Sequence, residues 1–206
     1  MPSRHYHEAL WQDVPVGAIP GGFELRCSFL LSNVASGQRV LDLGCGEGWF
    51  AAALQQAGVS VLGADVAEEP LRRARAAHPG LELELLEDEA SWNLPDGAFD
   101  VVWAGEVIEH VADTAGWLSE VRRVLRSGGT LLLSTPSLGR AELLGAAASR
   151  RAFAARFEPR SDHLRHYSRA TLTALICEFG FERIAVRVAG PRGARVLLAS
   201  AVRSRF

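Results

Sequence analysis

Strand-like and helix-like segments alternate along most of this 206-residue chain, which limits its folds more than any other feature. Residues 39–43 (Arg-Val-Leu-Asp-Leu) form a short apolar run that halts at glycines, and helical spacing follows at 50–57. The pair recurs as a strand at 59–64 and a helix at 68–77, closed by His78-Pro79-Gly80, a combination that cannot continue a helix. Strands are expected at 81–86, 99–103 and 130–134, with a helix at 115–125. Strands separated by helical crossovers pair in parallel through right-handed connections, with helices on both faces. The last third departs from this pattern. One or two helices are expected at 141–157 and another at 169–179, then strands at 181–188 and 194–202 around Ala-Gly-Pro-Arg-Gly. The expected fold class is α/β, a doubly wound seven-stranded sheet, mostly parallel, ending in an antiparallel hairpin. A single domain over 1–206 accommodates it.

Composition narrows the chemistry. Hydrophobic residues make up 48% and charged residues 22% of the chain, which excludes wholesale disorder. The net charge of −2 leaves any polyanion partner dependent on a local patch. All 22 basic residues are arginine, which rules out Schiff-base lysine chemistry and a Walker-type phosphate lysine. Cys27, Cys45 and Cys177 lie far apart, so neither a disulfide framework nor a structural zinc site is expected. Arg4, His5, His7, Glu8 and Asp13 interrupt the first thirty residues, and apolar runs elsewhere are strand-sized. The expectation is a cytoplasmic protein with no signal peptide and no transmembrane segment, which needs about 18 apolar residues.

Gly44-Cys45-Gly46-Glu47-Gly48 follows the first core strand and opens a helix. Glycines let the backbone turn tightly and come close to a ligand, and ligands of open α/β sheets sit beyond the carboxyl ends of the strands. A dinucleotide fingerprint would read G-x-G-x-x-G, but position 49 is Trp, which argues against a pyrophosphate. Asp65 closes the second strand, where a carboxylate can accept both ribose hydroxyls. Nucleoside recognition without a pyrophosphate site points to S-adenosylmethionine.

Five segments in register resemble the class I S-adenosylmethionine-dependent methyltransferases. They are the glycine loop, Asp65, Asp88-Glu89-Ala90, Phe99-Asp100-Val101-Val102 and Leu125 to Leu131. The closing hairpin also matches the reversed last strand of that Rossmann-like fold, and the resemblance spans about residues 25–206. It implies that Gly44, Cys45 and Gly46 line the methionine part of the cofactor. Asp42 would hold the loop or the cofactor ammonium. Asp65 and Val66 would meet the ribose, Asp88 and Glu89 the adenine amino group, and Glu106 the cofactor as well. Trp92 would either cover the adenine or simply pack.

Glu106, Glu109 and His110 follow the fourth strand at i, i+3 and i+4, which on a helix would share one face. Two carboxylates and an imidazole suit Mg²⁺ or Mn²⁺, although Glu-His here also occurs in metal-independent methyltransferases. The segment Ser161 to Arg169 carries His163. Together the two stretches are similar to metal-dependent methyltransferases that modify the 2′-hydroxyl of small-RNA 3′ ends. The first also resembles ubiquinone-pathway O-methyltransferases. By that likeness Glu106, Glu109, His110 and His163 would bind the ion, and His110 or His163 would accept the acceptor's proton.

Residues 140–169 hold seven arginines against Glu142, Glu158 and Asp162, either a cationic cover that favours an anionic acceptor or a solvated helix face. Residues 138–168 are read as this acceptor-site cap and residues 1–24 as a lid, with an inert packed helix as the alternative for the latter. The leading functional expectation is O-methylation of a small acceptor, anionic or catechol-like. RNA methylation, metal-free N- or C-methylation, an NAD(P)-dependent oxidoreductase and a noncatalytic cofactor-binding protein are the rivals. Slightly acidic charge weakens the RNA reading.

Overall fold

The computed structural model describes residues 2–87, 91–156, 162–191 and 193–205. Two helices, α1 (Pro2–Asp13) and α2 (Phe23–Leu31), precede the first strand, β1 (Arg39–Leu43). Then come α3 (Trp49–Gln56), β2 (Ser60–Asp65), α4 (Glu68–Ala77), β3 (Glu82–Leu85), β4 (Phe99–Gly105) and α5 (Thr114–Val124). The chain continues through β5 (Leu125–Pro136), α6 (Arg140–Ala147), α7 (Arg150–Arg156), α8 (Arg169–Glu178), β6 (Phe181–Ala189) and β7 (Val196–Arg203). The strands form one sheet in the order β3-β2-β1-β4-β5-β7-β6. The first five are parallel, and β7 runs antiparallel to both β5 and β6. The expected doubly wound sheet with its reversed hairpin is therefore what the chain forms.

Helices cover both faces, so the central strands read as apolar runs. Val40, Val101, Trp103, Leu132 and Leu198 pack with Phe29, Leu30, Phe50 and Leu54 from α2 and α3. Leu41, Val102, Leu131 and Leu133 pack on the other face with Leu118, Val121, Leu172 and Ile176 from α5 and α8. Sequential strands grow outward from β1 toward β3, and the chain then returns to place β4 on the other side of β1. The crevice at that reversal, beyond the carboxyl ends of β1 and β4, is where α/β sheets bind ligands.

Two elements differ from expectation. Helix α2 was not anticipated, because its buried stripe of Arg26, Phe29 and Leu30 contains an arginine. Strand β5 starts at Leu125 rather than residue 130, since Gly128 adopts φ 74° inside the strand and the chain pairs on either side of it. Among the described residues, no helix is long and apolar enough to cross a membrane.

Candidate functional site

The site grows from three chain ends that meet at the crevice. The first is the glycine loop after β1, where Gly44, Gly46 and Gly48 all have positive φ (71°, 54° and 81°), a region costly for other residues. A Cβ on Gly44 would stand 2.5 Å from Val107 Cγ2, so the loop and the β4 exit can approach only without a side chain there. Asp42 lies beneath the loop at 1% exposure, and its carboxylate faces the Ala51 amide in the first turn of α3. It therefore ties the loop's far end rather than lining the cavity. Burial, opposed only in part by that amide, pushes its carboxyl up to about 7. Cys45 is buried with its sulfur against Gly63, and burial raises its thiol well above the ordinary range, so it acts as a small filler.

The second end is Asp65 at the tip of β2. Its two oxygens accept from the Gly46 and Ala67 amides, each at 3.0 Å. Burial raises this carboxyl from its usual value, while those amides pull it down. The third end is the exit of β4. Glu106 takes φ 60°, an uncommon conformation for a residue with a side chain, and the chain then makes a turn over 108–110. The expected helical face is thus corrected: Glu109 and His110 sit on a turn that brings them together, while Glu106, before the turn, goes to β5. Glu106 is bonded through Oε1 to Ser134 Oγ at 2.7 Å. Glu109 is fully buried, accepts from Thr135 Oγ1 at 2.9 Å, and leaves Oε1 without a hydrogen-bond partner among the described residues. Burial, with the Glu106 charge adding to it, pushes the Glu109 carboxyl up to about 8.

The return segment after α7 is laced onto that turn. The Leu164 and Arg165 amides donate to the Glu109 carbonyl at 2.8 and 3.2 Å, and the Arg165 guanidinium binds the Val111 and Ala112 carbonyls. His110 Nδ1 lies 3.0 Å from the Asp162 carbonyl. A carbonyl only accepts, so Nδ1 carries the hydrogen and Nε2 keeps a free lone pair. Burial lowers the His110 pKa, with Asp162 opposing and the His163 ring adding to it, which favours the neutral imidazole. The His110 and His163 ring centroids are 4.9 Å apart. Glu109, His110 and His163 each offer a ligand atom within 4.8 Å of the others, and Glu106 is outside that group.

A cavity of about 250 Å³ opens between these ends. Gly44, Asp65, Val66, Glu106 and His110 line it, together with Trp92 and Trp117, whose rings meet edge to face at 6.5 Å. Asp88 and Glu89 lie outside the described residues. Within residues 1–24, expected as a lid, His7, Leu10, Trp11 and Val14 of α1 and its exit line the cavity, although none of them was named as a site residue. Their i, i+3, i+4, i+7 spacing was the available signal. The sequence reading missed Arg26, which is 3% exposed and has its charge close to Glu106 and Glu109. The positively charged cap is not seen to face the cavity. Arg150, Arg151 and Arg169 are exposed, Arg165 is spent on carbonyls, and no arginine lines the cavity among the described residues.

A parallel sheet with a reversed final strand and a glycine-loop cavity beside a ribose-suited acid define a protein of class I methyltransferase architecture. Residues 23–186 match the family model described as a methyltransferase domain, and the chain belongs to that family. A protein of Mycolicibacterium smegmatis named as a probable S-adenosylmethionine-dependent methyltransferase is 34% identical over 158 residues, 74% of this chain and 55% of that protein. A ubiquinone biosynthesis O-methyltransferase of Ruegeria sp. is 40% identical over 103 residues, 48% of this chain and 42% of that protein. The chain thus spans about half the length of these curated relatives. A solved S-adenosylmethionine-dependent methyltransferase from Mesorhizobium loti superposes with a TM-score of 0.67 at 25% identity, covering 91% of this chain and 99% of its own.

Proposed function

We propose that this chain transfers a methyl group from S-adenosylmethionine to a hydroxyl of a small, neutral, catechol-like acceptor. The observation that carries the reading is His110, which lines the cavity beside the glycine loop with Nδ1 on the Asp162 carbonyl and Nε2 in no hydrogen bond among the described residues. The glycine loop and Asp65 fit a nucleoside cofactor: Gly44 and Gly46 leave backbone in reach, and the Asp65 carboxylate retains lone pairs for ribose hydroxyls. Trp92, Leu86 and Val66 offer an apolar wall for the base. Glu106 faces the end where an ammonium would lie. The bound donor supplies a sulfonium-activated methyl. Neutral His110 accepts the acceptor's proton at Nε2, a role worth typically ~10²–10⁴-fold in rate. Asp162 orients it through Nδ1, and His163 stands as the second imidazole. Within residues 138–168, of which 157–161 lie outside the described residues, the stretch laced to the turn through Leu164 and Arg165 serves as the acceptor-side cover. Asp65, Glu106 and Asp162 line the cavity with no described arginine, which favours a neutral acceptor over an anionic one. The ubiquinone-pathway relatives support a hydroxyl as the receiving atom.

A divalent ion is the second reading of the same place, and with it bound His110 Nε2 would be a ligand and not the base. Glu109, His110 and His163 form a two-imidazole, one-carboxylate set, with the buried unpaired Oε1 of Glu109 as a ready ligand atom. Two nitrogen donors suit Mn²⁺ better than Mg²⁺. Such an ion would polarise the acceptor oxygen and ease its deprotonation.

The test is turnover of a catechol panel, read as S-adenosylhomocysteine formed, with wild type and His110→Gln. Wild-type activity that falls about 10²-fold or more in the variant, with donor affinity kept, is expected. Wild-type protein that binds S-adenosylhomocysteine yet methylates amines and no hydroxyl would overturn the acceptor assignment.

A further inference from the structure

Helix α1 supplies a wall of the cavity through His7, Leu10 and Trp11. What holds it there is a set of contacts from α4 and the glycine loop. The Glu8 carboxylate accepts from the Glu68 and Glu69 amides at 2.6 and 3.2 Å. These are the first amides of α4, whose own N-cap, Ala67, has no side-chain acceptor to offer. One turn further along, Arg73 reads the end of α1 directly. Its Nη1 donates to the Val14 carbonyl and its Nη2 to the Trp11 carbonyl, both at 2.8 Å, and its guanidinium lies 5.9 Å from the Trp11 ring centroid. The charge is balanced by Glu69 at 2.7 Å and by Glu47 at 3.0 Å. Glu47 in turn accepts from the Gly17 amide at 2.8 Å.

Glu47 belongs to the glycine loop. The loop that would carry the cofactor's amino-acid end and the wall that covers it therefore share one ion cluster, whose Arg73 and Glu47 side chains are 7% and 5% exposed. The Trp11 ring edge also reaches to 2.9 Å from where a Cβ on Gly46 would stand, so α1 touches the loop itself. Neither Arg73 nor Glu8 lines the cavity.

We propose that Arg73 is a positioning residue: with Glu47 and Glu8 it clamps α1 over the cavity, so that entry and release of the cavity's ligand require the clamp to open. The ligand's identity rests on the cofactor reading above; the clamp does not. An inert helix would share the fold's stability but not govern ligand exchange. Arg73→Met leaves the buried Glu47 without its cation, while Glu69 keeps Arg72, so Glu8→Gln, which removes charge from the α4 side of α1 and strands no buried ion, serves as the second variant.

Two readouts separate the possibilities. In ligand-free protein, hydrogen exchange of the amides of residues 6–14 should speed up about tenfold or more in both variants, while β1 and β4 amides keep wild-type protection. In stopped flow, S-adenosylhomocysteine should leave both variants about tenfold faster, with the donor KM raised and kcat held or increased. Unchanged α1 exchange in both variants would overturn the clamp, whether or not the ligand binds. Faster α1 exchange with unchanged release would overturn its gating role. Wild type that fails to bind S-adenosylhomocysteine would sink the cofactor reading, leaving the exchange arm to decide the clamp.

Discussion

Replacing Asp42 by Asn isolates the cost of a buried carboxylate under the glycine loop. Asp42 is 1% exposed, one of its oxygens has no hydrogen-bond partner among the described residues, and burial pushes its pKa from 3.8 to about 7. A raised carboxyl favours folding while it is protonated, fully so below its unfolded pKa, and that contribution is lost as pH rises through the folded value. At ~1.4 kcal/mol per pH unit, Asp42 costs ~4 kcal/mol above pH 8, where it is buried ionised, and ~2 kcal/mol at pH 5.5, where folding must protonate it. Asn keeps the acceptor that faces the Ala51 amide and carries no charge. The stability of Asp42→Asn relative to wild type should therefore rise by ~2 kcal/mol between pH 5.5 and 8.5. Urea unfolding of ligand-free protein at both pH values, with equal m-values, measures it. A difference that is flat with pH, or that falls, would mean the native carboxylate is ionised and paired, and the reasoning would fail.

Gly46→Ala should cost ~1–2 kcal/mol for its left-handed backbone (φ 54°) and push Trp11 aside. Its S-adenosylhomocysteine affinity should drop about tenfold or more by calorimetry, and wild-type affinity would refute the close approach. Calorimetric titration should find one Mn²⁺ site that Glu109→Gln abolishes and Glu106→Gln keeps, because Glu106 is committed to Ser134. Loss of that site only in Glu106→Gln would restore the four-ligand set inferred from resemblance. The Asp65 carboxyl is raised by burial, and a sulfonium cation in the cavity would favour its charged form. Binding of S-adenosylmethionine near pH 5 should then release more protons to the buffer than binding of S-adenosylhomocysteine, and equal release would count against it.

The fold was legible wherever burial repeats with a fixed period. Val40, Leu41 and Leu43 are buried on both faces of β1, so their continuous apolar run marks an internal parallel strand. Helix α2 was hidden because Arg26 occupies a core position of its stripe, with a guanidinium that stacks 5.2 Å over Phe50 and binds the Gly21 carbonyl. Pattern reading scores such an arginine as surface. Only the tertiary neighbours, with Glu106 and Glu109 close enough to act on its charge, show why it is inside.

The site was legible as a set of residue types and not as a geometry. The i, i+3, i+4 rule that grouped Glu106, Glu109 and His110 presupposes a helix, and the chain makes none there. β4 ends at Gly105, and Glu106 at φ 60° turns the backbone while its amide stays on the sheet, donating to the Ser134 carbonyl at 3.0 Å. That extra rung sends Glu106 toward β5 and rolls Glu109 under the turn, where Thr135 and two backbone amides on its carbonyl hold it. Local spacing cannot encode this, since the deciding partners lie 26 to 56 residues later in sequence, from Thr135 to Arg165. The same distance effect works in reverse for α1. Its 7-10-11-14 stripe is locally visible, yet nothing local says what the stripe covers, because Glu8 and the Trp11 carbonyl find their partners about sixty residues away on α4. Residues whose role depends on a neighbour in sequence can be read from one chain; those whose role depends on a distant partner need the fold first.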